Sequence, residues 1–442
     1  MMSEAQGINL NMLVFIMMRA FIDGCENLFI LPTVLYYIKS LGQAEQYMGI
    51  VVISYYVSSL ITTPLIGRIA DRFDLDSLLI IFSIALKVLG NLFYSINTNA
   101  AFPLVGRILS GMGQASHGLL LRQVVLNIPE KRRAGIFVIA DGAYCLGTTF
   151  GPAVGSFLVF NANVFGWKIN AGNSPGIILC CIWFVYLIWS ILLSGKFEVK
   201  SNWVNVNLSL EELTTLSYSE EVDTTAKVVK SQDKAAAKLW DDFNSNVLCL
   251  FYITFCSESF SSIALFSTPL FAQEILHLQL IHVKLYFLNC SLINFGLFLA
   301  TYIFSSYFEE RNVVVFFVVL EMIALSLLSS LVLTWDHSYN IQYYILLLYI
   351  TLGSSYWIFS QCCSLLSKIT NPRNAGFFQG SSVATIHIAY TISRISISLV
   401  FTHFGMIYFT FGLIVLWFIG AVWYSFTYSK LTVKRDLLLN SE

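Results

Sequence analysis

Apolar runs of roughly 20 residues recur along this chain, each long enough to cross the hydrocarbon core of a bilayer as an α-helix. They cover residues 10–38, 46–67, 77–96, 103–126, 134–160, 176–195, 246–273, 284–306, 312–334, 341–367, 375–401 and 406–428. The runs are continuous, where the strands of a membrane β-barrel would alternate in polarity. One long hydrophilic stretch, 196–244, rich in Glu, Asp and Lys, separates the sixth run from the seventh. This pattern predicts an all-α polytopic membrane protein of 12 transmembrane helices in two pseudo-symmetric six-helix halves. The halves are 1–195 and 245–429, joined by the loop 196–244 and followed by a tail, 430–442. The first run is too long for the apolar region of a cleavable leader and carries Arg19, Asp23 and Glu26, so it reads as a span.

Composition agrees: 57% of the 442 residues are hydrophobic and 12% charged, with a mean hydropathy of +0.71, against about 25% charged in a soluble domain. That excludes a soluble enzyme. A net charge of −1 without a basic domain argues against a nucleic-acid partner. The nine cysteines lie in apolar stretches without a C-x-x-C pair, so they read as buried small hydrophobes, and neither disulfide nor metal is expected. Phosphate loops, H-E-x-x-H and nucleophile-elbow motifs are absent, so no enzyme, cofactor or ATP use is expected. Placing 17 of the 25 Lys and Arg on one side puts both termini and the central loop in the cytosol.

Three motifs follow one another in order. Gly67-Arg68-Ile69-Ala70-Asp71-Arg72 ends the second run, Arg107-Ile108-Leu109-Ser110-Gly111-Met112-Gly113 occupies the fourth, and Gly142, Gly147, Gly151-Pro152 and Gly155 punctuate the fifth. Together they resemble the loop two-three, span-four and span-five motifs of the major facilitator superfamily. Echoes between the halves, such as Pro129 to Gly135 against Asn371 to Gly376, fit duplicated halves. The pattern departs after Arg72, where Asp74-Leu75-Asp76 replaces the glycine and basic residues of the family. Ile30 to Ile38, Val105 to Gly113 with Arg122, and Ser364 to Lys368 through Phe378-Gln379-Gly380 to Ser393-Arg394 look like the lysosomal members linked to ceroid lipofuscinosis. That resemblance implies an endolysosomal membrane, with chloride conduction proposed for the family; the plasma membrane is the alternative.

The gating set expected from these motifs is Gly67, Asp71, Arg72, Arg122, Gly142, Gly147, Gly151, Pro152, Gly155 and Gly376. Asp71 is expected near Arg122 and the free N–H groups of Ala375 and Gly376, where a helix N-terminus attracts a carboxylate. Small residues of the fifth run let helices approach closely, and Pro152 lets that run bend.

Charges inside the runs mark the pathway, because an unpaired charge at that depth is costly and turns toward a cavity or a partner. Arg19, Asp23, Glu26, Arg107, His117, Glu258, Tyr356, Trp357, His387 and Arg394 form the expected substrate or ion pathway. Asp23 and Glu258 come out near the midplane, Asp23 as the partner of Arg19 and Glu258 as the proton carrier. For His117 and His387 the plainer reading is a neutral core histidine; for Tyr356 and Trp357 it is packing. Arg394 falls near the far interface, within snorkelling reach of it. Lys87 and Glu321 read as inward scaffold contacts. The partners expected are the bilayer, a small-molecule or ion substrate and protons. Three functions fit: an alternating-access secondary transporter, an anion channel, and a non-transporting receptor or scaffold.

Overall fold

The computed structural model describes residues 10–158, 160–164, 167–193, 239–274, 276, 292–293, 295–305, 307–334, 339–353 and 357–431. Tyr356, most of the central loop and the first part of the eighth run therefore lie outside the described residues. Fourteen α-helices, with a further short apolar helix at Phe295–Phe304, carry the described chain: α1 (Leu10–Phe29), α2 (Leu31–Ser40), α3 (Glu45–Phe73), α4 (Asp76–Tyr94), α5 (Ala101–Met112), α6 (Ala115–Asn127), α7 (Glu130–Phe157), α8 (Ser174–Leu193), α9 (Ser245–Glu274), α10 (Glu310–Leu333), α11 (Tyr339–Gly353), α12 (Trp357–Ile369), α13 (Ala375–Val400) and α14 (His403–Thr427).

Several runs read as single helices are interrupted. The first breaks at Ile30, with a proline in the opening turn of α2, a position where the missing N–H costs little. The fourth breaks at Gly113-Gln114, between α5 and α6. The purely helical expectation needs one correction: Ala162–Val164 and Trp167–Ile169 form an antiparallel hairpin between α7 and α8. The carbonyl of Lys168 in this hairpin accepts from Asn97 at 2.8 Å and from Asn173 at 3.2 Å, which ties it to the ends of its neighbours.

Among the described residues, six helices are long and apolar enough to cross a membrane, α4, α8, α10 and α14 among them. The long helices α1, α7 and α13 are not among those six. They carry Arg19, Asp23, Glu26, Asp141, His387 and Arg394. Helices that meet other helices on several sides can hold polar groups that a lipid-facing helix cannot.

Two hydrophobic clusters make the core. One is built mainly on α1 to α8 and the other on α9 to α14, with α12 and α13 contributing to both. α1 packs on α7, α3 on α13, α7 on α12, and α9 on α13. The α1–α7 crossing is close because Gly24 meets the backbone of Tyr144 and Gly147, while Gly151 lies on Cys25. α7 runs as one helix through Pro152 and Gly155, and Gly142 sits under the ring of Phe298.

Candidate functional site

Three polar assemblies line up between the helices. The first is at the end of α3. Asp74 there adopts the left-handed conformation (φ 51°), which stops the helix and lets α4 start at Asp76. The tight turn gathers three acids around Arg122 of α6: its Nε donates to Asp71 at 2.9 Å, its Nη2 to Asp74 at 3.2 Å, and its Nη1 pairs with Asp76. The acids that depart from the family motif thus complete the arginine's ion pairs. The carboxylate of Asp71 also accepts two backbone hydrogen bonds from α13, from Gly376 and from Phe377, both at 2.7 Å. The expected pair was Ala375 and Gly376. Ala375 is unavailable because its N–H is used by the carbonyl of Pro372 in the preceding 3-10 turn.

Further bonds cross at the same end: Arg68 donates to Asn374 at 2.8 Å, and Arg133 reaches the carbonyl of Ser367 at 3.4 Å. Gly67 lies directly on the backbone of Gly376. Arg72 stays outside this clamp, exposed and over the ring of Phe73. A residue five positions after Gly67 falls on the outer face of α3, whereas Asp71 falls on the inner one.

The second assembly is a buried knot in the first cluster. Arg19 pairs with Asp23, and Lys87 Nζ lies 3.1 Å from Asp23 and 2.7 Å from Glu26. Glu26 further accepts from Asn91 at 2.9 Å and from Trp183 at 3.0 Å, and Arg107 stands 3.9 Å away. Gln114 donates to Asp23 at 3.1 Å, and Arg19 donates to Ser116 at 3.0 Å. Arg19, Asp23, Glu26 and Arg107 are therefore locked among helices of one cluster. The tie from Lys87 to Asp23 and Glu26 could not be read from spacing, since it joins α4 to α1.

The third is a cavity of about 20 Å³, space for about one water. It lies where the two clusters meet and is walled by Gln114 and His117 of α6, Asp141 and Tyr144 of α7, Glu258 of α9, Phe359 of α12, and Val383, Ile386, His387 and Tyr390 of α13. Tyr390 donates to Glu258 at 3.0 Å, and Ser59 of α3 lies 2.9 Å from His387 Nδ1. One oxygen of Asp141, Oδ2, has no hydrogen-bond partner. Glu258, His117 and His387 are thus brought together, while Asp23 only borders the group, 3.9 Å from His117.

Asp141, Tyr144 and Tyr390 were missed by sequence reading. Asp141 satisfies the test applied to Glu258, an acid inside an apolar run; Tyr144 and Tyr390 stand three residues, about one turn, after Asp141 and His387. Trp357 does not line the cavity. It is buried in the second cluster, its ring 5.7 Å from that of Phe298.

Arg394 overturns its expected snorkelling. It turns inward, donates to the hydroxyl of Tyr56, and lies 4.7 Å over the rings of Tyr56 and Phe266 and 5.2 Å over that of Tyr390. Tyr56 in turn donates to Asn27, whose amide donates to Tyr144 at 2.9 Å. Stacking over aromatic faces holds the guanidinium inside more favourably than the interface would.

Glu321, buried on α10, accepts from Ser257 at 2.5 Å. Within the apolar runs, among the described residues, the bases Arg19, Lys87, Arg107, Arg122 and Arg394 and the acids Asp23, Glu26, Asp141, Glu258 and Glu321 number five each.

Residues 13–393 match the family model described as the Major Facilitator Superfamily. The chain belongs to this superfamily. Its members are transporters rather than enzymes, and the assemblies above sit on a transporter fold. Over 96% of both chains it superposes on the proton:xylose symporter XylE with a TM-score of 0.71 at 12% identity. The human organic anion transporter MFSD10 gives 0.62 at 11% identity, over 97% of this chain and all of that one. In sequence it is 30% identical over 163 residues to an SPX domain-containing membrane protein of Oryza sativa subsp. indica, 36% of this chain. The chain covers only 23% of that rice protein's length.

Proposed function

We propose that the protein is a secondary transporter that exposes one central site alternately to the two sides of its membrane. In this reading the chain has twelve spans in two halves, 1–195 and 245–429, that rock about the cavity, with both termini cytosolic. The observation that carries it is the cavity itself. Carboxyls from both halves, Asp141 and Glu258, share one small enclosure, and a polar clamp centred on Asp71 closes one end of the bundle. With that clamp made, the state is closed toward the Asp71 end, the cytosolic side by the distribution of basic residues.

Glu258 is the proton carrier in this proposal. The groups facing it are Asp141 and Tyr144 from α7, His117 from α6, His387 and Tyr390 from α13, and Glu321 from α10 by way of Ser257. Asp23, assigned to Arg19 and Lys87, is structural. An endolysosomal membrane, where a lumenal acid would drive such a carrier, is supported by the resemblance of the Ile30 to Ile38, Val105 to Gly113 and Ser364 to Arg394 segments. An anion channel needs uncompensated positive charge along its path. Of Arg19, Arg107 and Arg394, which would supply it, the first two stand instead among Asp23 and Glu26, and Arg394 is taken up by the hydroxyl of Tyr56 and the rings of Tyr56, Phe266 and Tyr390. Reconstituted liposomes test the reading. Saturable uptake driven by an imposed pH gradient supports it, and large currents at fixed voltage without saturation would replace it with the channel.

A further inference from the structure

We infer that the solute admitted between Asp141 and Glu258 when the two halves part is a small organic cation, an ammonium compound of little apolar bulk; the closed enclosure of about 20 Å³ holds only a water. This rests on the transporter reading and names the class of its solute.

The cavity has two carboxyls in its walls and no Lys or Arg. An anion brought there would meet both carboxyls at close range, where repulsion in a poorly solvated site is strong. Asp141 points to the same class. The residue is only 8% exposed, Ser360 serves its carboxyl, and Oδ2 faces no donor. A buried acceptor without a partner is uncommon and costly. A cation or an N–H donor in the cavity supplies what is missing.

The rings of Tyr144, Phe359 and Tyr390 line the same space and offer the faces on which an ammonium group is stabilised. A metal ion fits less well, because among the described residues no group of three or more His, Cys, Asp or Glu side chains is placed to hold one.

The test uses the purified full chain in detergent, with choline chloride as the probe and sodium chloride at matched ionic strength as the reference. Thermal unfolding is followed by tryptophan fluorescence. Choline is expected to raise the midpoint saturably beyond sodium chloride. Asp141→Asn and Glu258→Gln are each expected to weaken the response about tenfold or more, the scale for removing one charged partner. Asp141→Glu, which keeps the charge, and Glu321→Gln, outside the cavity, are expected to retain it. The inference is overturned if choline does no better than sodium chloride, or if its effect survives unchanged in both Asp141→Asn and Glu258→Gln. Cysteine accessibility from both sides of the membrane separates this from the underlying reading. Alternating access without a choline response removes the solute class alone. A choline response that depends on Asp141, without alternating access, keeps the cation site and removes the transport cycle.

Discussion

The carboxylate of Asp71 on α3 accepts the backbone N–H of Gly376 at 2.7 Å, joining positions 305 residues apart at the N-terminus of α13. The contact needs no side chain at 376, and Gly67 needs none either, because the two backbones touch there. Hydrogen bonds to a charged group contribute about 1.5–3 kcal/mol each, so Asp71→Asn should loosen the clamp without unfolding the chain. The expected result is a several-fold faster reaction of Cys363, buried behind it, with a maleimide added from the Asp71 side. An unchanged rate would dispose of the clamp.

Glu258→Gln keeps the shape and the Tyr390 hydrogen bond but cannot carry a proton. Uptake driven by a pH gradient should fall to background in liposomes, while exchange of labelled solute at equal pH on both sides persists once the solute is raised about tenfold to offset the weaker binding. Full pH-driven accumulation in this variant would take Glu258 out of the coupling.

Tyr56→Phe removes the hydroxyl that receives Arg394 and donates to Asn27. α13 then loses a polar tie to α3 on the side of the cavity away from Asp71. Accessibility from that side is expected to rise, whereas Arg394→Lys should only partly keep the closure, since an ammonium stacks less well on the three rings. Equal accessibility in wild type and Tyr56→Phe would count against a closing role.

Lys87→Met leaves Glu26 and Asp23 short of a buried partner. Breaking a buried pair costs about 3–5 kcal/mol, so this variant should unfold at clearly lower temperature than wild type. The double variant Lys87→Met with Glu26→Gln should recover part of the loss. If the two effects simply add, the knot is not coupled as the distances indicate.

The expected position of Asp71 shows how far local reading reaches. A helix-end carboxylate and a helix-start glycine, both visible as motifs, met with an error of one residue, because a 3-10 turn ahead of α13 consumed the N–H of Ala375. Arg394 shows where it stops: its depth was legible, its direction was not.

Run lengths, the charged positions inside them, the glycine and proline punctuation and the basic-residue bias were determined by the sequence alone, because the cost of leaving polar groups in hydrocarbon acts on each segment separately. Tertiary structure alone decided that Lys87 meets Glu26, that Asp141 and Glu258 share a cavity, that Trp357 packs away from it and that Arg394 turns inward. Those pairings depend on how each helix is rotated and which neighbour it touches. Rotation is set where small residues let backbones meet, as Gly24 does on Gly147 and Gly67 on Gly376, and that fit is a property of two distant segments at once.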